Sequence, residues 1–333
     1  MSKTIKGRLK NLDKYIQNKW DEYYWNFIMK YEDMLDWDSI SYNPNITMEI
    51  IENNPDKPWK WNYISRNPNI TMKMIETNPD KPWKWNWISQ NPNLTMEMIE
   101  NNPDKDWDWE IISRNPNITM EMIENSPEKP WNWNCISRNP NITMEIIVNN
   151  PEKPWVWWGI SENPNFTMEM IEKYPYKSWD WKGISQNPNI TMEMINNSPD
   201  KDWRWDWISY NPNLTMVMIE KYPEKPWDWV GLSCNPNITI EMIEKYIDKP
   251  WNWLYLSCNP NITIEMIENN PENPWDWCNI SQNTFKKEKE LFYEKWYKKY
   301  MATFRLQQYF NRMYDNPQYK FCRDRLEKLF TEL

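Results

Sequence analysis

The 333-residue chain has no histidine, and four glycines stand against 27 prolines. Without imidazole, the side chain that titrates near neutrality and the commonest metal ligand are both missing. A histidine general base is therefore excluded. No Gly-rich phosphate loop or nucleophile elbow is present, and turns have to be made with Asn-Pro in place of glycine's left-handed freedom. No run of 18 apolar residues occurs, so no membrane-spanning helix is expected. The opening MSKTIKGRLK lacks the apolar core of a signal peptide. The cysteines, Cys135, Cys234, Cys258, Cys278 and Cys322, are odd in number and form no CxxC. Cys234 and Cys258 lie one repeat apart, and helices stacked at roughly 8–10 Å hold such a pair beyond the ~7 Å Cα reach of a disulfide. These absences together predict a soluble, intracellular, non-secreted protein in a reducing compartment.

What the chain does contain is one unit, many times over. The serine of Ile-Ser or Leu-Ser falls at Ser41, Ser65, Ser89, Ser113, Ser137, Ser161, Ser185, Ser209, Ser233, Ser257 and Ser281, a constant spacing of 24. Self-similarity at such a period marks a solenoid and has to be recognised before any local motif is interpreted. Residues 37–284 carry 20 basic and 35 acidic groups, a balance of −15, whereas 285–333 carry 12 and 7. An acidic array repels phosphate backbones, so nucleic acid is not expected on it.

Within a unit, TMEIIENN (47–54) reads as a short helix. Thr47 is a preferred N-cap, Glu49 complements the positive helix end, and Pro55 stops the element. The apolar residues flanking the cap, Ile46 with Ile51 and their counterparts, have hydrophobic-staple spacing. A second helix is expected from near Pro58 through Trp61 and Ile64 to the residue before Asn67. On such a helix Trp59 and Trp61 lie about 200° apart, which predicts two continuous indole ladders along the stack. Neither helix is long enough to be stable alone, so each depends on its neighbours.

The ends depart from the repeat. Leu9, Leu12, Ile16, Trp20, Tyr23, Phe27 and Tyr31 mark an amphipathic helix before the array. Phe285, Phe292, Trp296, Tyr300, Phe304 and Tyr309 mark another after it, broken at Asp315-Asn316-Pro317 and followed by a short closing helix in YKFCRDRLEKLF. The expected organisation is an N-terminal capping helix (1–35), the repeat solenoid (36–284) and a basic C-terminal helical cap (285–333), the caps closing exposed terminal faces.

Ten Asn-x-Thr triplets match the glycosylation pattern, but helix capping by threonine accounts for them. The asparagines are expected to form hydrogen-bonded ladders that satisfy the backbone of the corners. The tryptophans are read as packing in preference to a base-stacking platform, because they recur invariantly. Two positions vary inside the fixed frame: one reads Tyr63, Trp87, Ile111, Cys135, Gly159, Gly183, Trp207, Gly231, Tyr255, and the other Tyr42, Arg66, Gln90, Arg114, Arg138, Glu162, Gln186, Tyr210. Such variation is either drift or a strip that reads a partner. On the second view the binding candidates are Tyr63, Arg66, Trp87, Arg114, Arg138, Trp207, Tyr210 and Tyr255, types enriched at binding hot spots.

Units of the form W-x-W-x-x-[IL]-S-x-N-P-N-[ILF]-T resemble those of repeat proteins abundant in giant DNA viruses of the mimivirus group, and the tail NPQYKFCRDRLEKLF is similar to their closing segment. ISxNPNIT followed by a helix also distantly resembles the 24-residue leucine-rich variant repeat, whose stacks alternate 3₁₀ and α helices. The resemblance implies a viral source, hence a host cytoplasm or virion setting, and a fold. The fold class expected is all-α, a right-handed helical-repeat solenoid of about ten 24-residue two-helix units with helical caps, very roughly 100 Å long at ~10 Å per unit. The function expected is a non-catalytic scaffold for a viral or host protein partner, without cofactor or metal. The alternative is nucleic-acid binding through the basic C-terminal helices.

Overall fold

In the computed structural model of the protein, which describes residues 3–315 together with Gln318, Lys320 and Asp324, a long helix α1 (Lys3–Lys30) precedes twenty-one short ones, α2 (Trp37–Tyr42) to α22 (Trp277–Gln282), and a long α23 (Lys286–Asp315) follows. The chain is an all-helical repeat solenoid. The expected closing helix at 319–330 lies, apart from Lys320 and Asp324, outside the described residues, as does Cys322.

The odd-numbered short helices follow from the threonine. In α3 (Met48–Asn53) the Thr47 hydroxyl accepts from the Ile50 N–H at 3.3 Å, and seven of the ten threonines cap their helices in this way. The staple residues on both sides of each cap, Ile46 with Ile51 through Ile262 with Ile267, are buried. The even-numbered helices start later than expected. In α4 (Trp61–Arg66) the first helical residue is Trp61, because the Trp59 N–H bonds Lys57 O at 2.7 Å in a tight turn about Pro58, and Lys60 takes the extended cap conformation. In seven of the eleven units that cap position is Asp or Asn, and its side chain accepts helix N–H groups.

Trp59 therefore does not lie on the helix, and the two expected indole ladders are replaced by one interlocked row. Each second tryptophan meets the first tryptophan of the following unit edge to face: Trp61 with Trp83 at 5.1 Å and 84°, Trp109 with Trp131 at 5.0 Å and 88°, Trp229 with Trp251 at 4.9 Å and 86°. Ten such pairs run from Trp37–Trp59 to Trp253–Trp275. Each contributes about 0.5–1.5 kcal/mol beyond the area it buries.

The asparagine ladder is present, and it explains the serine. Asn67 Nδ2 donates to Ser41 O (3.1 Å) and Asn43 O (3.0 Å) of the preceding unit, while its Oδ1 accepts from its own Asn69 N–H at 2.9 Å. Asn69 Nδ2 donates to Pro44 O at 2.6 Å. Ser41 Oγ donates to Trp37 O (2.8 Å) and accepts the Lys60 N–H (3.0 Å). The asparagines of the first Asn-Pro-Asn position and the serines are all buried.

The ladder has no end. Asn43 Nδ2 of the first unit donates to Ser281 O (2.9 Å) and Asn283 O (3.0 Å) of the last; Asn45 Nδ2 donates to Thr284 O, and the Asp36 N–H to Ser281 Oγ at 2.8 Å. These are the same bonds that join any two successive units, and α2 packs on α22 as it does on α4. Residues 24–285 thus form a closed ring of eleven units, not a rod with two faces to cap. Closure requires a mean rotation of about 33° per unit. The C-terminal part of α1 supplies the outer helix that the first unit lacks. Phe27, 24 residues before Ile51, is 3% exposed. Tyr31 meets Trp277 at 4.8 Å, and Trp25 meets Trp37 and Trp59. Most successive even-numbered helices pack side by side, and no two odd-numbered ones come as close among the described residues, so the even-numbered layer is the inner one.

The chain divides into two compact units, 24–285 and 1–23 with 286–333. The first boundary falls within α1, not at 35/36, because the helix serves both. In the smaller unit α1 and α23 are antiparallel: Trp20 meets Phe292 at 5.4 Å and Tyr15 meets Trp296 at 5.6 Å, and Tyr293 donates to Gln17 Oε1. The helices expected as caps pack on each other.

Two outcomes test this architecture. Asn139 makes two donor bonds to the preceding unit and accepts from Asn141; Asn139→Ala is expected to cost about 1–3 kcal/mol, and Asn139→Asp more, since a carboxylate cannot donate to Ser113 O and Asn115 O. The measure is the urea midpoint at unchanged slope. Deleting one whole unit, residues 113–136, is expected to leave the seam unclosed, read as loss of amide-exchange protection in α2 and α22; retained protection there argues against the ring.

Candidate interaction surfaces

The variable positions lie on the inner layer, and the structure pairs them across units. The residue equivalent to 66 in one unit packs on the residue equivalent to 63 in the next. Arg66 lies over Trp87 (5.0 Å), and also over Tyr42 (4.1 Å) and Tyr63 (4.9 Å). A Cβ built on Gly231 meets Tyr210 Cε2 at 2.6 Å; one on Gly183 meets Glu162 Cγ at 2.8 Å. At these two glycines the small residue answers to the side chain of the preceding unit, whereas a Cβ on Gly159 meets Asn134 O and Ser137 Cβ, not Arg138.

Of the sequence-derived candidates, the structure gathers Tyr63, Arg66 and Trp87 into one cluster. Tyr63 meets Trp87 at 5.2 Å, and the Arg66 guanidinium donates to Gln90 Oε1 at 3.3 Å. Arg114 is exposed beside this cluster and, with Gln90 and Ile111, lines a cavity of about 400 Å³. Arg138 is ion-paired to Glu162 at 2.9 Å and stacked on Trp158 at 4.1 Å. Trp207 meets Tyr210 at 5.8 Å, and the Tyr210 hydroxyl donates to Asp228 Oδ2 at 3.1 Å; burial first, and then the Asp228 carboxylate, push that phenol up to about 12. Tyr255 and Cys234 lie near enough to Tyr210 to act on its hydroxyl, and Cys258 lies beside Cys234. Burial pushes the Cys234 thiol up to about 11, helped by Cys258, and raises Cys258 and Cys135 as well. The candidates thus form two separate sectors, with Arg138 between them.

Sequence reasoning missed a second surface, on the outer layer. Between adjacent units the Pro-Trp segment opens a groove, seen at equivalent places beside Trp83 and Trp85 (about 470 Å³), Trp179 and Trp181 (about 620 Å³) and Trp227 and Trp229 (about 540 Å³). The signal for it is the recurrence of Pro-x-Lys-[Pro/Ser]-Trp, in which the prolines suit helix ends and the tryptophan packing.

Among the described residues no group of three or more Cys, Asp or Glu is placed to hold a metal, and no helix is long and apolar enough to cross a membrane. No family model, curated protein or solved structure matches the chain.

The cross-unit pairing predicts that two substitutions are not additive. Gly231→Ala drives Tyr210 off its place and is expected to destabilise by about 1–3 kcal/mol. In a Tyr210→Ala background the ring clash is gone and only the tight Ser209 Cβ contact at 3.0 Å remains, so the same change is expected to cost about 1 kcal/mol or less, offset in part by alanine's better helix propensity. A thermal double-mutant cycle reads the coupling; additive effects contradict the pairing.

Proposed function

We propose that the chain is a non-catalytic scaffold whose ring presents the Tyr63–Arg66–Trp87–Arg114 sector to a protein partner. The observation that carries this reading is a cluster of hot-spot residue types standing on a frame whose polar groups are satisfied within the ring. A frame held by invariant Asn, Ser and Trp leaves this sector free to change without loss of the fold. By the resemblance of its units to those of mimivirus-group repeat proteins, the partner is a viral or host protein in an infected cell or virion, in a reducing setting that suits free thiols.

The eight basic and four acidic side chains of α23 favour a second reading, nucleic-acid binding. Affinity pull-down with wild type, Arg66→Ala, Trp87→Ala and Arg114→Ala, each checked for an unchanged helical melting curve, separates the two. Loss of specific proteins with intact folding is the expected result, and an unchanged set removes the sector from consideration. For the second reading, absence of oligonucleotide binding at low salt is decisive against it.

A further inference from the structure

The seam of the ring carries an inference independent of the inner sector. Ten of the eleven junctions between units are crossed by the chain itself, whereas the seam between the last unit and the first is crossed only by hydrogen bonds and ring contacts. Its polar bonds copy those of an internal junction. Asn43 and Asn45 donate across it as Asn67 and Asn69 do to the unit before them, and the Asp36 N–H meets Ser281 Oγ as the Lys60 N–H meets Ser41 Oγ. Its aromatic contact is of another kind: Trp37 meets Trp59 edge to face at 85°, but Trp277 finds Tyr31 at 4.8 Å and 34°. When an internal junction parts, the linking segment keeps its two faces at high effective concentration. At the seam no short link within residues 24–285 does so, and the ring opens there first.

Opening the seam draws two positions apart. Tyr24 and Phe27 stand on its N-terminal side and Phe285 on its C-terminal side, with ring separations of 6.2 and 5.6 Å. Immediately before Tyr24 and immediately after Phe285 the chain belongs to the antiparallel pair of α1 and α23. The contacts of that pair follow one another along both helices. Tyr23 donates its hydroxyl to Glu288 Oε1 at 2.6 Å and stacks on Phe292 at 5.7 Å; Trp20 meets Phe292, Tyr293 donates to Gln17 Oε1, and Tyr15 meets Trp296. Each step back along α1 is matched by a step forward along α23. The pair is thus a zipper whose first teeth adjoin the two residues that the seam brings together, and its helices cannot stay in register when those residues separate.

We propose that the α1–α23 pair is a clasp: zipped, it supplies the tether that the seam lacks, and the ring opens at the seam only as the pair unzips. The two events share one equilibrium, so their coupling is reciprocal. Loosening the clasp loosens the seam, and loosening the seam loosens the clasp. A junction far from the seam is held by its own linking segment and answers to neither. The aromatic residues that the two long helices carry in place of the repeat thereby gain a role other than covering terminal faces, since a closed ring has none to cover.

The test is amide hydrogen exchange read by mass spectrometry on the full chain. Peptides over α2 and α22 report the seam, those over α10 and α12 an internal junction, and those over 286–300 the clasp. A Phe292→Ala/Trp296→Ala double variant removes the ring contacts to Trp20, Tyr23 and Tyr15. Exchange at α2 and α22 is then expected to rise about tenfold, with α10 and α12 unchanged. The reverse arm compares Asn43→Ala, at the seam, with Asn139→Ala, its equivalent at an internal junction. The first is expected to speed exchange in 286–300 and the second is not. Wild-type exchange at α2 and α22 while 286–300 loses its protection overturns the proposal, as does an equal rise in α10 and α12, or an equal response of 286–300 to the two asparagine variants. The unit deletion separately asks whether the ring closes at all, and the pull-down of the inner sector is unaffected by either answer.

Discussion

One buried primary amide per unit holds this structure together. A chain that turns a corner every dozen residues leaves backbone carbonyls with no helix or sheet to use them, and burying them unpaired costs more than a small two-helix unit can recover. Asn67 and its equivalents resolve this with a single side chain that fixes its own corner through Oδ1 and ties the two preceding carbonyls through Nδ2. The serine hydroxyl does the same work two residues earlier, passing a bond from its own helix to the next unit. Because the Nδ2 bonds and the bond the serine accepts cross a unit boundary, no unit is satisfied alone. Stability is cooperative along the array.

Closure follows from the same interaction. An open array presents unsatisfied serine and asparagine carbonyls at one face and unused amide donors at the other, which is why linear solenoids need caps. Here the two faces are complementary by construction, and with eleven units they meet. The seam still carries a cost. Asn-Pro-Asn becomes Asn283-Thr284-Phe285 where the chain leaves the ring, and Phe285 takes a left-handed φ of 46°, a conformation worth roughly 1–2 kcal/mol to a residue with a Cβ. The Phe285 ring is buried against Tyr24 and Phe27, so aromatic burial offsets the strain at the one place where the repeat is broken.

Much of this was legible in the sequence because the repeat averages out ambiguity. Threonine caps, staples and the asparagine ladder could be read from one unit and checked against its nine counterparts; the threonine hydroxyl caps in seven of the ten. Two features could not. The start of the inner helix was misplaced because proline at 58 suits a helix start, while the stronger signal, Asp or Asn at the position of Lys60, is absent from the units first compared. The ring was missed because curvature is a small rotation per unit, which no local pattern encodes; only the replacement of an outer helix by the end of α1 hinted that the first unit was not a terminus. The pairing of positions 63 and 66 was hidden for a related reason, since the two residues lie in different units and vary together only in space.

The indoles show how one residue type serves frame and surface at once. A 24-residue unit has too little interior for full burial of two tryptophans, and most of them stay half-exposed. The first of each pair is fixed by its backbone bond and by the edge of its neighbour; the second gives its ring to the neighbour but keeps its N–H. Leucine in the second place could not replace it, since it has no ring to meet its neighbour's edge. Tryptophan stands there in all eleven units, partly buried in each, and it meets the first tryptophan of the next unit in ten of them and Tyr31 at the seam, so the indole row, like the asparagine ladder, runs round the whole ring.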